Sequence, residues 1–466
     1  MALVIHNTLT GTNESFKKSK KPLKMFVCGP TVYGSAHICH ARVEITFDAF
    51  ARYVREVGYG LTYMQNVTDV DDKIINAAKD EGVSPVALAR HWEKEYVAVM
   101  KTLRVTSVDR RARASAFIKE IQEQITRLVA KGFAYETDNG VYFEVRKFKE
   151  YGALSGQDLD ATRPHYRIEP DPKKKDPLDF ALWKRTSKDD GISWKSPWGE
   201  GRPGWHIEDT AITEKLLGQQ YDIHGGGLDL KFPHHESEIA QQEAASGKKP
   251  FVRAWMHVGM VLSAKGEKMS KSLKNFLLVN DFLKKHSVDV LRFMFLSAHY
   301  RSPINYSEGL VEQSRAALLS VAEFLGKLDF VVVSGRAGAV SRAVSADIAK
   351  CEKAFTAAMD ADFNTPQAIG TLFIFINGYG KSVWALSRAE AAALRSFLLK
   401  KFTVFGISFK ASAAPASVRA LLRKREIARI SKDFTVADAV RAEITKAGYA
   451  VEDTPIGPHL VPHASS

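Results

Sequence analysis

The sequence has few cysteines, no long apolar run and no recognisable export signal. It contains three cysteines in 466 residues, Cys28, Cys39 and Cys351, which are too few and too unevenly spaced for a disulfide framework. We therefore expect a reducing compartment, the cytoplasm. The N-terminal region lacks the order of a signal peptide, and no stretch approaches the roughly 18 apolar residues that span a bilayer. A membrane partner is not expected.

Two common nucleotide-binding motifs are also missing. Neither the GxxxxGK phosphate loop nor the GxGxxG fingerprint occurs in its usual setting, so a nucleotide must be held in another way. The composition, 45% hydrophobic and 26% charged, excludes a mostly disordered chain. Lys and Arg outnumber Asp and Glu by 66 to 53, a formal charge of +13. This excess favours a polyanionic partner such as a nucleic acid.

Apolar patterns predict a parallel α/β sheet in the first part of the chain. Buried strands are predicted from Leu23 to Cys28 and from Leu61 to Val67, with an amphipathic helix between them. The sheet pattern resumes from Tyr221 to His224 and from Trp255 to Leu262. The region between these halves contains the hairpin signal Asn139-Gly140 and is predicted to be an insertion.

After about Ser307 the spacing becomes helical and predicts a helical bundle. A basic helical segment follows, with cations at Arg419, Arg423, Lys424, Arg425, Arg429 and Lys432. The tail after Thr454 shows no clear pattern. We therefore predict a sheet domain formed by residues 1–105 and 200–306, an insertion at 106–199, a helical bundle at 307–408 and a small basic segment at 409–466.

Two short segments carry side chains suited to phosphate chemistry. In His37-Ile38-Cys39-His40 a loop enters a helix, and imidazoles beside the positive helix end could hydrogen-bond phosphate oxygens. Lys268 and Lys271 lie three apart in a polar loop and could act as mobile charges on a phosphate chain. The alternatives are ordinary capping or surface roles for the histidines and a solvated surface for the lysines.

HICH early in the sheet and KMSKS after a late strand resemble the HIGH and KMSKS signatures of class I aminoacyl-tRNA synthetases. The segments MFVCGPTVYGSAHICHAR, TDVDDKIINAA, SPWGEGRPGWHIED, YDIHGGGLDLKFPHHESEIAQQEA and WMHVGMV resemble the cysteinyl-tRNA synthetase family. The resemblance implies a Rossmann-like parallel-sheet catalytic domain with a connective insertion, followed by an all-α C-terminal tRNA-binding domain. Residues 307–408 would bind the anticodon stem, and residues 409–466 would recognise the anticodon.

The same resemblance implies roles for individual residues. ATP, with Mg²⁺, would be bound by Pro30, His37, His40, Lys268, Ser270 and Lys271, the two histidines and two lysines also being catalytic. Thr68, Trp205 and Asp229 would line the pocket for L-cysteine. The alternatives are that Trp205 is a core aromatic residue and that Thr68 is the N-cap of the helix beginning DVDDKI.

One zinc ion per subunit is also implied, bound to the substrate thiolate and held by Cys28, Asp209, His234 and Glu238. His234 and Glu238 are four residues apart and share a helix face, although a capping histidine with a surface glutamate is the alternative. Asp209 departs from the family pattern, which has GWHIEC where this chain has GWHIED. A carboxylate is an accepted zinc donor, and the alternative is that Asp209 caps the helix beginning TAITEKLL.

Two other departures are Cys39, in place of the HIGH glycine, where a side chain could crowd ATP, and Lys274, in place of a glycine after KMSKS. The expected activity is ATP-dependent formation of cysteinyl-adenylate and transfer of cysteine to the 3′ end of tRNA(Cys) by a monomer, with zinc selecting the thiolate. The alternatives are a degenerate paralogue that binds RNA without catalysis and a cysteine ligase that uses a non-tRNA acceptor.

Overall fold

The computed structural model describes residues 2–157, 172–186, 190–269, 276–380, 382–409 and 414–462. The chain forms two compact units. The first comprises Met1–Val288, Ala298–Ser307 and Asp360–Asn364, and the second comprises Asp289–Ser297, Glu308–Met359 and Thr365–Ser466. No helix among the described residues is long and apolar enough to cross a membrane.

The first unit alternates strands and helices. Its strands are β1 (Leu3–Asn7), β2 (Thr12–Phe16), β3 (Leu23–Val27), β4 (Leu61–Val67), β5 (Arg110–Arg113), β6 (Ala134–Thr137), β7 (Gly140–Phe143), β8 (Phe180–Arg185), β9 (Gly201–Pro203), β10 (Tyr221–Gly227), β11 (Val252–Val258), β12 (Val261–Leu262) and β13 (Ile304–Asn305). Its helices are α1 (Ile38–Glu56), α2 (Asp72–Glu81), α3 (Pro85–Thr102), α4 (Ile118–Ala130), α5 (Trp205–Leu216), α6 (Glu236–Ser246) and α7 (Val279–Lys285).

A five-stranded parallel sheet, in the order β11-β10-β3-β4-β5, forms the centre of this unit. The middle strand β3 places Met25 between Ile223 on β10 and Tyr63 on β4, and all three side chains are fully buried. Strands of a parallel sheet covered on both faces are rich in apolar residues, and this enrichment made β3 and β4 recognisable in the sequence. The predicted parallel α/β architecture is confirmed.

Gly29 brings the end of β3 close to β4. A Cβ atom at Gly29 would lie 2.0 Å from the Asn66 carbonyl oxygen, so a larger residue cannot fit without moving the strand end. The Gly29 backbone NH donates to Asn66 Oδ1 at the same place. The close approach fixes the direction in which Cys28 and Pro30 leave the sheet.

The insertion forms its own antiparallel sheet, β6-β7-β8-β9. The Asn139-Gly140 signal correctly marked the β6–β7 hairpin. Two strand pairings differ from the predicted insertion at 106–199. Arg110–Arg113 pairs with β4 in the central sheet, and Gly201–Pro203 pairs with β8 in the antiparallel sheet. The domain bounds stay a prediction. Strands this short carry too little periodicity to reveal their partners.

The second unit is mainly helical. It contains α8 (Val288–Leu296), α9 (Glu308–Ser334), α10 (Arg342–Asp360), α11 (Thr365–Tyr379), α12 (Arg388–Val404), α13 (Ala416–Ile430), α14 (Phe434–Lys446), β14 (Tyr449–Thr454) and β15 (Gly457–Pro462). The helical prediction is confirmed, but the tail after Thr454 is not without structure, since β14 and β15 form an antiparallel hairpin. Val451 and Leu460 pack with Val440 and Ile444 of α14, which explains why this short hairpin is stable here.

Candidate active site

Four buried side chains meet at the carboxyl ends of β3 and β10, and we call them the donor cluster: Cys28, Asp209, His234 and Glu238. Cys28 Sγ lies 3.4 Å from Asp209 Oδ2 and 3.9 Å from Glu238 Oε1. His234 Nε2 lies 3.1 Å from each of these two carboxylate oxygens. All four residues are at most 6% exposed. The structure thus brings together the four residues implied as zinc ligands.

The members of the donor cluster come from separate elements. Cys28 directly follows β3, and its backbone NH donates to Gly225 on β10 at 3.0 Å. His234 precedes α6, and Glu238 lies in the first turn of that helix, one turn further along. Asp209 lies inside α5, which begins at Trp205 with Gly204 as its N-cap. The alternative that Asp209 caps a helix is therefore wrong.

The electrostatics of the donor cluster favour a bound cation. Burial, together with the charges of Asp209 and Glu238, raises the pKa of Cys28 well above its usual value. Burial and Asp209 likewise raise the pKa of Glu238. Within the described chain, Asp209 Oδ1 and Glu238 Oε2 have no hydrogen-bond partner. A buried group of acidic donors is costly without a compensating positive charge, which a metal ion would supply.

Four of the six donor pairs in the cluster have separations compatible with a tetrahedral metal ion. Four donors at about 2.1 Å from a tetrahedral zinc ion lie about 3.4 Å from one another, and these four pairs are 3.1 to 3.9 Å apart. His235 is a competing donor that the sequence analysis missed. Its Nε2 lies 3.1 Å from Cys28 Sγ, and potential ligand atoms of Cys28, His234, His235 and Glu238, a group without Asp209, all lie within 4.8 Å of one another. Asp209 as the fourth ligand therefore stays a prediction.

Further histidines missed by the sequence analysis surround the cluster. His206 Nδ1 lies 2.8 Å from His234 Nδ1, and His257 Nε2 lies 2.8 Å from His235 Nδ1. Burial lowers the pKa of His206 and His235 well below the usual value and lowers that of His257 to about 3, so these rings are neutral at pH 7. The only sequence signal for them was the position of His235 next to His234.

Thr68 lies beside the cluster and does not cap a helix. The N-cap of α2 is Asp71, whose side chain accepts a hydrogen bond from the Lys73 backbone NH, so the capping alternative for Thr68 is wrong. Instead, the buried Thr68 hydroxyl donates to Glu208 Oε1. Burial and the neighbouring Asp209 raise the pKa of Glu208 well above its usual value.

The other two residues implied in the cysteine pocket lie at its rim. Trp205 stacks on the His234 ring, with centroids 4.2 Å apart and planes inclined by 20°, and it is only half-buried. It therefore flanks the donor cluster and is not enclosed in the core. Asp229 is exposed, and a Cβ atom at Gly227 would lie 2.5 Å from its Oδ1, which places the carboxylate over the end of β10.

The implied ATP-binding residues begin at the start of α1. His37 is the N-cap residue of α1, and the rings of His37 and His40 stack with centroids 3.7 Å apart. Pro30 packs at the end of β3, and its carbonyl accepts a hydrogen bond from Thr68 NH at 3.1 Å. Cys39, which lies between the two histidines in the sequence, is half-buried. Burial raises its pKa to about 11, so the thiol is neutral, and its effect on ATP binding stays a prediction.

The segment that contains KMSKS is attached to α1 on its C-terminal side. Ile38 NH donates to the Leu277 carbonyl oxygen, and Val279 NH donates to that of Ala36, both at 3.0 Å. On the N-terminal side, Lys268 pairs with Leu262 at the end of β12. Ser270, Lys271 and Lys274 lie outside the described residues. The described flank at Leu277 and Val279 therefore lies against the start of α1.

Comparison with protein families identifies three consecutive matches. The model described as the class I (C) tRNA synthetase catalytic domain matches residues 15–316, the DALR domain matches 354–410, and the cysteinyl-tRNA ligase anticodon binding domain matches 411–457. Among solved structures, methionyl-tRNA synthetase of Mycobacterium tuberculosis with methionyl-adenylate has 18% identity and a TM-score of 0.61, covering 83% of this chain and 89% of that chain. At this identity the likeness shows the class I synthetase fold alone.

Two curated relatives align over nearly their full length. The cysteine–tRNA ligase of Thermoplasma volcanium is 43% identical over 453 residues, covering 97% of this chain and 98% of that protein. The cysteine–tRNA ligase of Geobacillus thermodenitrificans is 44% identical over 464 residues, covering 97% of each. The chain therefore belongs to the cysteinyl-tRNA synthetase family.

Proposed function

We propose that this protein activates L-cysteine with ATP at the donor cluster, with zinc bound there, and transfers the cysteinyl group to the 3′ end of tRNA(Cys). Family membership makes the chain a cysteine–tRNA ligase, a class I synthetase that uses ATP. The observation that carries the zinc assignment is the burial of Cys28, Asp209, His234 and Glu238 at separations of 3.1 to 3.9 Å. The complete donor set, including Asp209, argues against a degenerate paralogue.

Zinc would be held by Cys28, Asp209, His234 and Glu238. When bound, it supplies a Lewis acid that favours the soft thiolate of cysteine over the hydroxyl of serine. The chain's own residues position this site. His206 Nδ1 lies 2.8 Å from His234 Nδ1, and Trp205 stacks on the His234 ring, so these two contacts restrict rotation of the imidazole. The Thr68 hydroxyl, held by Glu208, would contact the bound amino acid.

We assign ATP activation to the two signature segments. The carboxylate of cysteine attacks the α-phosphate, giving cysteinyl-adenylate and pyrophosphate, with Mg²⁺ on the phosphates. His37 and His40, at the N-terminus of α1, would hydrogen-bond the phosphate oxygens as charge develops, and Lys268 and Lys271 would neutralise the leaving group. The terminal ribose hydroxyl of tRNA then attacks the adenylate carbonyl, which forms the cysteinyl ester, breaks the acyl–phosphate bond and releases AMP, so no side-chain nucleophile is required.

Residues 307–408 would bind the anticodon stem and 409–466 the anticodon, in agreement with the anticodon-binding match at 411–457. This match favours tRNA over a non-tRNA acceptor. Arg425 is not available for RNA, because it is 2% exposed and forms two hydrogen bonds to Asp453 at 2.8 and 2.9 Å. The exposed Arg419 and Lys424 of α13 remain for phosphate contacts. We further propose a monomer that works in the cytoplasm.

The decisive experiment is cysteine-dependent exchange of pyrophosphate into ATP by protein of known zinc content, with serine as the comparison. We expect exchange with cysteine only. Cys28→Ser should lose zinc and exchange together, whereas Cys351→Ser, which changes a buried thiol in the second unit, should retain both. Full exchange by metal-free protein would contradict the zinc assignment. No exchange by zinc-loaded wild type would contradict the catalytic function and favour the RNA-binding paralogue.

A further inference from the structure

The connection between β2 and β3 carries four lysines in five residues, and we call it the basic loop: Lys17, Lys18, Lys20 and Lys21. All four side chains are exposed, and none forms an ion pair with a described residue. The Lys18 ammonium lies over the Tyr59 ring, 5.5 Å from its centroid. Charges this close in the chain repel one another within a Debye length of about 8 Å, so the loop presents a concentrated positive field.

The fold fixes both ends of the basic loop. Phe16, the last residue of β2, is fully buried, and Leu23, the first residue of β3, is 7% exposed. The Leu23 backbone NH donates to the Gly60 carbonyl oxygen at 2.9 Å. Within the loop the Ser19 hydroxyl donates to the Lys21 carbonyl oxygen at 2.8 Å. The lysine side chains therefore extend into solvent from an anchored base.

The basic loop lies at the opposite edge of the central sheet from the donor cluster. It directly precedes β3, and Cys28 directly follows that strand, so five residues at about 3.3 Å each separate them by about 16 Å. The amino end of the parallel strand β11 lies at the same edge as the loop and adds Arg253, an exposed cation. Its guanidinium lies 4.4 Å from the Phe16 ring centroid and donates to the Ser15 carbonyl oxygen.

The side chains around this basic surface favour a phosphate-rich partner. Asp222 Oδ2 accepts a hydrogen bond from the Lys24 backbone NH at 2.8 Å, so this carboxylate is already engaged. Among the described residues, no exposed large apolar side chain precedes Val83. The loop thus lacks the apolar anchors of a stable protein interface or of a membrane-inserted segment. Lysines on flexible stems act as point charges, which suit phosphate groups of variable position.

We propose that the basic loop, together with Arg253, binds the phosphate backbone of an RNA segment other than the tRNA being aminoacylated. The substrate tRNA must deliver its 3′ end to the carboxyl edge of the sheet, whereas this surface lies at the amino edge. Contacts made only to phosphates carry no sequence information, so binding at the loop is independent of the RNA sequence. The inference depends on neither the zinc assignment nor the mechanism of cysteine activation.

The test measures binding of a fluorescent twelve-nucleotide oligouridylate to protein that already holds one equivalent of tRNA(Cys). The loop variant replaces all four lysines of the basic loop with glutamine. Each phosphate contact with single-stranded RNA contributes about 0.7 to the slope of log affinity against log salt. The variant should therefore lose about 2 to 3 units of this slope and at least about tenfold in affinity at about 0.1 M salt.

A matched control removes the same charge from scattered exposed positions. It carries four lysine-to-glutamine changes, Lys119→Gln, Lys149→Gln, Lys215→Gln and Lys248→Gln. This control should keep the wild-type salt slope and stay within about threefold of the wild-type affinity for oligouridylate. Equal losses in the control and the loop variant would overturn the proposal, because they would show attraction to net charge alone.

Two further measurements separate the proposed partner from other anions. Aminoacylation of tRNA(Cys) and cysteine-dependent pyrophosphate exchange by the loop variant should stay within about twofold of wild type. A rise of fivefold or more in the Michaelis constant for tRNA(Cys) would overturn the proposal by assigning the loop to the substrate tRNA. Unchanged oligouridylate binding by the loop variant would also overturn it, and if binding to phosphatidylglycerol vesicles were lost instead, the loop would be assigned to anionic membranes.

Discussion

Replacing Asp209 with Asn is the sharpest test of the donor cluster, because it removes one negative charge with little change in shape. Asp209 Oδ2 lies 3.4 Å from Cys28 Sγ and 3.1 Å from His234 Nε2, a position from which it could bind the same ion as these two groups. An amide is a poor zinc donor. Changes to residues that merely support a ligand cost about 10- to 100-fold in metal affinity, so loss of a direct ligand should cost at least about 100-fold, or about 2.7 kcal/mol.

The same substitution should have a weaker or opposite effect on metal-free protein. Asp209 contributes to the raised pKa of both Cys28 and Glu238, so its removal relieves repulsion among buried acids. We therefore expect metal-free Asp209→Asn to be at least as stable as metal-free wild type. At saturating zinc the stabilisation gained on binding should be smaller by about 2.7 kcal/mol, since a ligand that binds the native state stabilises it in proportion to the logarithm of its affinity.

The assays are chelator competition for zinc affinity and thermal unfolding with and without zinc. Glu208→Gln is the matched control. It changes the adjacent buried carboxyl, which accepts a hydrogen bond from the Thr68 hydroxyl and lies outside the donor cluster. It should retain zinc. Equal zinc affinity in Asp209→Asn and wild type would refute the reasoning and assign the fourth ligand to His235.

Three further predictions concern other parts of the chain. Cys39→Gly should lower the Michaelis constant for ATP in pyrophosphate exchange, because the half-buried thiol is removed from the start of α1; an unchanged value would show that the loop accommodates it. Gly29→Ala should destabilise the first unit by more than about 2 kcal/mol in denaturant unfolding, because its Cβ would lie 2.0 Å from a carbonyl oxygen. As the control, Gly326→Ala in α9 has open space around its Cβ and should stabilise the second unit by up to about 1 kcal/mol. Hydrogen bonds, chiefly from Ser387 NH, lower the pKa of Glu390 to about 2, so Glu390→Gln should lower the free energy of unfolding by about 1 kcal/mol above pH 4.5. This difference from wild type should disappear as the pH falls toward 2, and a constant difference across the range would contradict the assignment.

Local sequence patterns were sufficient where one segment carries its own signal. β4 was predicted with its observed bounds, and β3 within one residue, because both strands are rich in large apolar residues and are bounded by turn residues. The hairpin at Asn139-Gly140 was equally clear from its turn residues. By contrast β5, four residues rich in arginine, has no such pattern and was placed in the insertion.

The candidate site divides in the same way. The HICH and KMSKS segments and the spacing of His234 and Glu238 could be read directly, because each lies within one stretch of chain. Resemblance added Cys28 and Asp209. Neither could reveal that His206 positions His234 or that His235 lies 3.1 Å from Cys28 Sγ, because these contacts join residues distant in sequence.

The amino-acid sequence by itself determined the class of fold, the family and most of the residues that meet in the donor cluster, because these depend on local periodicity and on motifs of matching residues. Only the tertiary structure decided that Asp209 lies inside α5 facing the cluster and that Thr68 is held by Glu208. The physical reason is that burial and donor separation arise from packing between elements far apart in the chain, and side-chain spacing along one segment carries no information about them.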